Sequence, residues 1–344
     1  MKDRCFPESC RLSLGLLLGL SSVFIAPRPS HAQSFHGETI GITVGFSAGG
    51  GYDIYARVLA RYLPTHLPGA PNVIVMNMPG AGSMRAANWI YNVAPKDGTA
   101  LGTISRGTPF DPLLNMPGAQ FDATKFTWIG SANNEVGVCV AWGNAGVNST
   151  EDLYSKEIII GASGGSADSD QFPKIINGVL GTRMKVVSGY PGGNEINLAM
   201  ERGEVQGRCG WSWTSLKATH SAALKSGTFK VILQVSMQRH PDLPNVPTVY
   251  ELAKTDEQRA LLKIFLARQV MGRPFMAPPG IAADRAAALR KGFLETLADR
   301  AFLEESDKNS LEISAVSGED VQKLITEVYS VPEDIRLKAG QLIR

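Results

Sequence analysis

Four times along this chain a β-branched or apolar run ends in a glycine-rich turn that opens into a stretch of helical spacing. That alternation restricts the fold more than any other feature. Residues 39–46 form the first expected strand, 47–51 the turn and 53–63 the helix, on which Ile54, Val58, Leu59 and Tyr62 share a face and Pro64 sets the stop. Residues 72–77 give a second strand, followed by Pro79-Gly80-Ala81-Gly82 and a helix to about 91 that Ser83 is placed to cap. Residues 99–105 give a third. After a stretch of mixed strand character at 128–142, the pattern resumes with a strand at 158–160, a turn at 161–166 and a helix at 168–180. It repeats at 184–188, 189–193 and 194–202, with Gly203 as the helix stop. Further strands are expected at 205–210 and 230–235 around a helix near 214–226; residues 241–247 are proline-rich and irregular. Helices at 256–271, 281–300, 318–330 and 332–343 close the chain, with Ser317 and Asp320 in capping-box spacing.

Alternating strand–helix units imply α/β layers with largely parallel sheets. Two clusters, 39–105 and 158–235, imply two sheets, and the closing helices, lacking a sheet of their own, are expected to return to the first domain. The expected division is therefore 33–125 plus 237–344 for one domain and 126–236 for the other. Just over three hundred residues suit two domains better than one.

The start of the chain bears on its compartment. Lys2, Arg4 and Arg11 flank an apolar run at 12–26, and Ser30-His31-Ala32 forms a small-x-small site ahead of Gln33, the layout of a cleaved secretory signal peptide over residues 1–32. The run is shorter than the ~20 residues of a spanning helix, so an exported, periplasmic protein is expected. Cys5 and Cys10 precede the run and make no lipoprotein anchor. The whole chain carries 34 basic and 32 acidic residues, and losing the first 32 leaves 30 of each. A neutral chain without a basic cluster argues against a nucleic-acid partner. Cys139 and Cys209 remain; an oxidising compartment permits a disulfide, and burial as two free thiols is the alternative. His36, His66, His220 and His240 are scattered, without H-E-x-x-H or C-x-x-C, so neither a metal nor a cofactor is expected.

In open α/β sheets, ligands bind beyond the carboxyl ends of the strands. Here those ends are the turns Phe46-Ser47-Ala48-Gly49-Gly50-Gly51, Pro79-Gly80-Ala81-Gly82, Gly161-Ala162-Ser163-Gly164-Gly165-Ser166 and Tyr190-Pro191-Gly192-Gly193. Each feeds a helix N-terminus, whose unpaired N–H groups favour an anion by ~0.3–1 kcal/mol, or up to ~2 when partly buried. Desolvating a carboxylate costs several kcal/mol, which one turn does not offset and two from each domain can. A small acid is the implied ligand. Glycine turns also serve simply as tight strand-to-helix connections, and that alternative holds for any one of the four.

Gly45–Asp53, GFSAGGGYD, with Arg57 on the following helix, resembles the (P)FxAGGGxD…AR segment of solute-binding proteins of tripartite tricarboxylate transporters, the Bug family. NMPGAG at 77–82, APKDG at 94–98, residues 107–114 and 187–193, LPNVPTVYE at 243–251 and residues 277–280 follow in the family's order, so the resemblance covers essentially the whole exported chain. It implies a two-lobed periplasmic-binding fold of the type II kind, each lobe a mostly parallel sheet flanked by helices, with crossover strands near Phe126 and Val235. It implies ligand contacts from Phe46, Ala48, Gly49, Gly50, Asp53 and the Gly80–Gly82 turn in one lobe. Gly107, Thr108, Ser163, Gly164, Gly165, Ser166 and Tyr190 would complete the closed site. It also implies permease subunits as membrane partners of a monomeric receptor. Ser47 stands where Pro is usual, Tyr52 where Thr is common, Asp170 in place of a frequent His, and Pro191 where Lys is usual. These departures bear on the identity of the ligand.

Single residues admit two roles each. Arg106 can meet a ligand carboxylate or form a salt bridge, solvated or between domains. Asp53 can bond a ligand or complement its own helix dipole. Gly51 and Gly192 belong to the candidate turns, and Trp211 and Trp213 alternate so that one can face the cleft. The competing function is a serine hydrolase, because Gly161-x-Ser163-x-Gly165 lies between a strand and a helix as a nucleophile elbow does. Its triad would have to draw on His220 or His240. A ligand sensor without transport is a third reading.

Overall fold

The computed structural model describes residues 34–343; the expected signal segment lies outside the described residues. The chain runs β1 (Thr39–Val44), α1 (Gly51–Tyr62), β2 (Asn72–Asn77), α2 (Met84–Asn92), β3 (Ala100–Thr103) and β4 (Thr127–Ser131). It continues through β5 (Gly137–Trp142), α3 (Asp152–Ser155), β6 (Ile158–Ala162), α4 (Asp168–Leu180), β7 (Met184–Ser188), α5 (Gly193–Glu201), β8 (Gly207–Ser212), α6 (Trp213–Lys225) and β9 (Phe229–Val235). Then follow α7 (Asp256–Leu266), β10 (Pro274–Ala277), α8 (Ala283–Ala298), α9 (Arg300–Lys308), β11 (Val316–Ser317), α10 (Gly318–Tyr329) and α11 (Glu333–Leu342).

Two mixed sheets result, ordered β11-β4-β10-β3-β1-β2 and β7-β6-β8-β5-β9. β1 pairs parallel with β2 and β3, and β6 parallel with β7 and β8. The reversals are instructive. β5 is antiparallel to both β8 and β9, and β10 to both β3 and β4. Each is the first strand the chain makes on arriving from the other lobe, and each enters the interior of its sheet; the second sheet is complete within residues 137–235, whereas the first needs β10 and β11 from beyond it.

The chain crosses between lobes at residues 132–136 and returns at 267–273, rather than near Phe126 and Val235. β4 therefore lies in the first sheet, although a boundary at 126 groups it with the second. Its pairing partner β10 lies far along the chain, and local sequence does not announce it. The two crossing segments bond to each other: Ala132 N to Arg273 O at 3.0 Å, Gly272 N to Asn133 O at 2.9 Å and Glu135 N to Gln269 O at 2.9 Å. They form a paired crossover, a place where a hinge between the lobes could lie.

Apolar periodicity explains the packing. Ile40, Ile42 and Val44 of β1 and Tyr55, Val58 and Leu59 of α1 share one core with Phe275 and Phe293. Phe172, Ile175 and Ile176 of α4 lie in a core with Phe110, Leu113 and Phe265 that spans the two lobes. Residues 256–271 form α7 and then a short 3-10 turn, and the helix expected to end at Arg300 breaks at Asp299, which caps α9. The expected Ser317 cap forms, accepting from Asp320 N at 3.1 Å. Ser83 does not cap with its side chain; it sits at φ 83° ahead of α2. The closing helices divide. α8 and α10 pack on β4, whereas α11 rests on α4, where Lys174 Nζ donates to Ile343 O at 3.3 Å.

Candidate ligand-binding site

Between the lobes lies a cavity of about 70 Å³. Three helices begin on it: α1 through Gly50, Gly51 and Tyr52, α4 through Ala167, Asp168 and Ser169, and α5 through Gly193 and Asn194. None of the three has a side-chain cap; their N-cap residues are Gly50, Ala167 and Gly192. Their first-turn N–H groups are therefore left to whatever occupies the hollow. Three of the four glycine turns thus feed helices that open on one space, as the repeated strand–turn–helix pattern suggests. The fourth does not.

Four charged side chains line the cavity: Arg106, Asp168, Arg208 and Arg273. Arg106 Nε donates to Asp168 Oδ2 across the lobes, and Arg268 Nη1 reaches Asp168 Oδ1 at 3.2 Å from behind. Arg273 donates to Ser212 Oγ at 2.7 Å and Ser215 Oγ at 2.6 Å, and its guanidinium stands 3.4 Å from the Glu135 carboxylate. Arg208 makes contacts of another kind. It donates to Gly193 O at 3.3 Å, touches Asn197 Oδ1 at 3.5 Å and lies 4.2 Å over the Trp211 ring. Among the described residues it forms no ion pair. Burial, reinforced by the like charge of Arg273, pushes its pKa down to about 9. The aromatic part of the wall is a stack of Phe46 on Tyr52, with centroids 4.9 Å apart, together with Trp211.

Of the residues singled out from sequence, Phe46, Gly50, Gly51, Arg106 and Ser163 line this cavity. Gly80, Ser163, Gly164 and Tyr190 line a neighbouring hollow of about 380 Å³ between the second, third and fourth turns. The others join the lobes or brace a turn. Ser47 Oγ donates to Glu195 at 2.8 Å, Ala48 O accepts from Asn194 at 3.1 Å, and Gly192 backs onto Ser47. Gly82 N donates to Ser163 O at 3.2 Å. Gly107 packs against Arg268, and Thr108, fully buried, bonds Ser83 at 2.9 Å. Gly165 O accepts from Gln171 at 2.9 Å, and Ser166 is fully buried.

Asp53 serves its own helix. It accepts from Gly49 N, Arg57 and Asn77, each at 2.8 Å, and these bonds hold its carboxyl below the usual range although burial alone would raise it. Arg106 forms the anticipated salt bridge between the lobes and also lines the cavity. Trp211 faces the cavity from β8, whereas Trp213 starts α6 and donates to Asp242 at 3.0 Å. Cys139 and Cys209 form a disulfide across the adjacent strands β5 and β8.

Sequence reasoning missed Arg208, Arg273, Asp168 and Asn197. Arg208 had a signal: it shares a strand face with Gly210, opposite Cys209, and a charge inside an apolar strand calls for a reason. Arg273 had none, because it precedes β10, itself unanticipated. The elbow-like turn assembles no triad among the described residues. Ser163 Oγ pairs with Ser169 Oγ at 3.3 Å, while His220 bonds Asn197 and Thr219, and His240 stands beside Asp242.

Comparison with known proteins agrees with this architecture. A family model described as "Tripartite tricarboxylate transporter family receptor" matches residues 55–336. A curated relative from Cupriavidus necator, the UPF0065 protein in gbd 5'region, is 34% identical over 116 residues; the match spans 33% of this chain and only 32% of that protein. Among solved structures, the periplasmic binding protein BugD superposes with a TM-score of 0.72 at 22% identity, covering 88% of this chain and 97% of that one. MatC from Rhodopseudomonas palustris with bound malate gives 0.70 at 19% identity, covering 89% and 99%. An R. palustris protein with adipate gives 0.69 at 18%, covering 88% and 97%. At such identities these likenesses speak for the fold, a two-lobed periplasmic-binding architecture. With the family model matching most of its length, the chain belongs to the tripartite tricarboxylate transporter receptor family.

Proposed function

We propose that this chain is an exported periplasmic receptor that captures a small carboxylate-bearing solute between its lobes and hands it, without chemical change, to the permease subunits of a tripartite tricarboxylate-type transporter. The observation that carries this reading is a one-sided hydrogen-bond deficit. Among the cavity-lining residues, the buried side-chain atoms without a protein partner are Arg106 Nη1, Arg208 Nε and Arg273 Nε, all donors. A cavity short only of acceptors, with three uncapped helix N-termini opening on it, is complementary to an anion.

The division of these donors supports capture by closure. Arg106 and the start of α1 belong to the first lobe, Arg208 and the starts of α4 and α5 to the second, and Arg273 to the paired crossover. A guest that bonds both sets binds the closed arrangement better than the open one and shifts the population toward it. A permease that recognises the closed shape then distinguishes loaded from empty receptor. A single receptor molecule contains the whole site, consistent with a monomer.

Titration calorimetry of the purified protein against a panel of small organic acids tests the proposal. At least one acid is expected to bind, with a decrease in the radius of gyration by small-angle scattering. Arg208→Gln should weaken it by about tenfold or more, the loss of a charge-assisted bond of ~1.5–3 kcal/mol. If no acid binds and uncharged solutes do, the proposal fails.

A further inference from the structure

We infer that the solute carries a single carboxylate, seated on Arg208, and that the rest of it is uncharged. This rests on the receptor reading above and sharpens it. Of the three arginines lining the cavity, two already have carboxylates: Arg106 is paired with Asp168, and Arg273 stands 3.4 Å from Glu135. Arg268, the second partner of Asp168, is not among the lining residues and is enclosed by the rings of Phe110, Phe172 and Phe265, so its charge is not offered to a guest. Arg208 alone faces the hollow as a cation whose contacts are a carbonyl, an amide oxygen and an indole face.

A buried carboxylate is tolerated when a cation compensates it, and of the cations that line the cavity Arg208 is the one with no carboxylate in contact. A second carboxylate would have to share Arg106 or Arg273 with Asp168 or Glu135, or rest on the partial charge of a helix start alone. The remaining lining admits no other ionic contact. Ser163, Ser169, Ser212, Ser215, Thr219, Asn194 and Asn197 are all engaged within the protein. Phe46, Tyr52 and Trp211 present ring carbon. Beyond Arg208 the open donors are Arg106 Nη1, Arg273 Nε and the uncapped starts of α1, α4 and α5, which suit neutral acceptors such as a hydroxyl or keto oxygen.

The experiment compares acids that differ only by an added carboxyl: lactate with malate, butyrate with glutarate, and benzoate with terephthalate, each titrated calorimetrically into the full exported protein. In at least one pair the monoanion is expected to bind and its diacid to bind tenfold or more weakly. Arg208→Gln should remove most of the monoanion's affinity while the unliganded protein melts as before. A diacid that equals or exceeds its monoanion in every pair that binds overturns the single-charge assignment and leaves the receptor reading standing. Unchanged monoanion binding by Arg208→Gln overturns the seat. Silence from all six acids tells instead against the receptor reading itself.

Discussion

Gly82 donates its backbone N–H to the carbonyl of Ser163 at 3.2 Å, so that two glycine turns from opposite lobes touch backbone to backbone. Gly82 holds φ at +69°, and a Cβ there would lie 2.7 Å from Gly164 O and press on the start of α4. Gly82→Ala should therefore obstruct closure more than it destabilises either lobe. Solute affinity is expected to fall by tenfold or more while the melting temperature of the free protein drops only a few degrees. Small-angle scattering should show a more open particle at saturating solute.

Asp168 is the common anion of Arg106 and Arg268, and all three are buried. Removing one partner of such a group leaves uncompensated charge, at a cost of about 3–5 kcal/mol. Asp168→Asn strands two guanidinium groups, whereas Arg106→Met leaves Asp168 with Arg268. Denaturant titration should find the first variant the weaker of the two. Equal stability would mean that Arg268 does not engage Asp168.

Asp111 brings pH into the lobe contact. Gln171 on α4 donates to its Oδ1 at 2.9 Å, and burial, only partly offset by hydrogen bonds from Ser166 and Gln171, lifts its pKa from 3.8 to about 7. Between those two values the folded protein keeps a proton that the unfolded chain has released, so this group's contribution to stability falls as pH rises. It is full below about pH 4, declines toward about pH 7 and stays flat above. Asp111→Asn retains an acceptor for Gln171 and cannot ionise. Melting curves from pH 4 to 8 should show a shallower loss in the variant, which at pH 8 is expected to exceed the parent by on the order of 1–3 kcal/mol.

The Cys139–Cys209 disulfide closes a separation of 70 residues within the second sheet. Constraining a loop of that length in the unfolded chain stabilises the fold by roughly 2–4 kcal/mol. Cys139→Ser with Cys209→Ser should lower the midpoint of denaturation accordingly. Solute affinity should change little, because neither cysteine lines the cavity. A variant as stable as the parent would show that the bond contributes nothing.

The local elements were legible because their signals are local. The helix at 168–180 and the strands at 72–77 and 184–188 appear where apolar periodicity and flanking glycines place them, since both report on backbone conformation within a few residues. The glycine turns likewise announced that strand ends would present helix N-termini. Nothing local identified β10, whose four residues become a strand because β3 and β4 stand ready on either side, or Arg273, which β10 brings with it.

Within the site, the amino-acid sequence by itself determined the anion-seeking ends of α1, α4 and α5, because an uncapped helix start has unpaired N–H groups wherever it lies. Only the tertiary structure decided which turns face the cavity and which face each other. The packing of the two lobes sets Gly82 against Ser163 and gives Asp168 to Arg106. It also decided that Arg208 remains without a carboxylate, because pairing between charges distant in sequence is settled by the packing of the two lobes and not by their order along the chain.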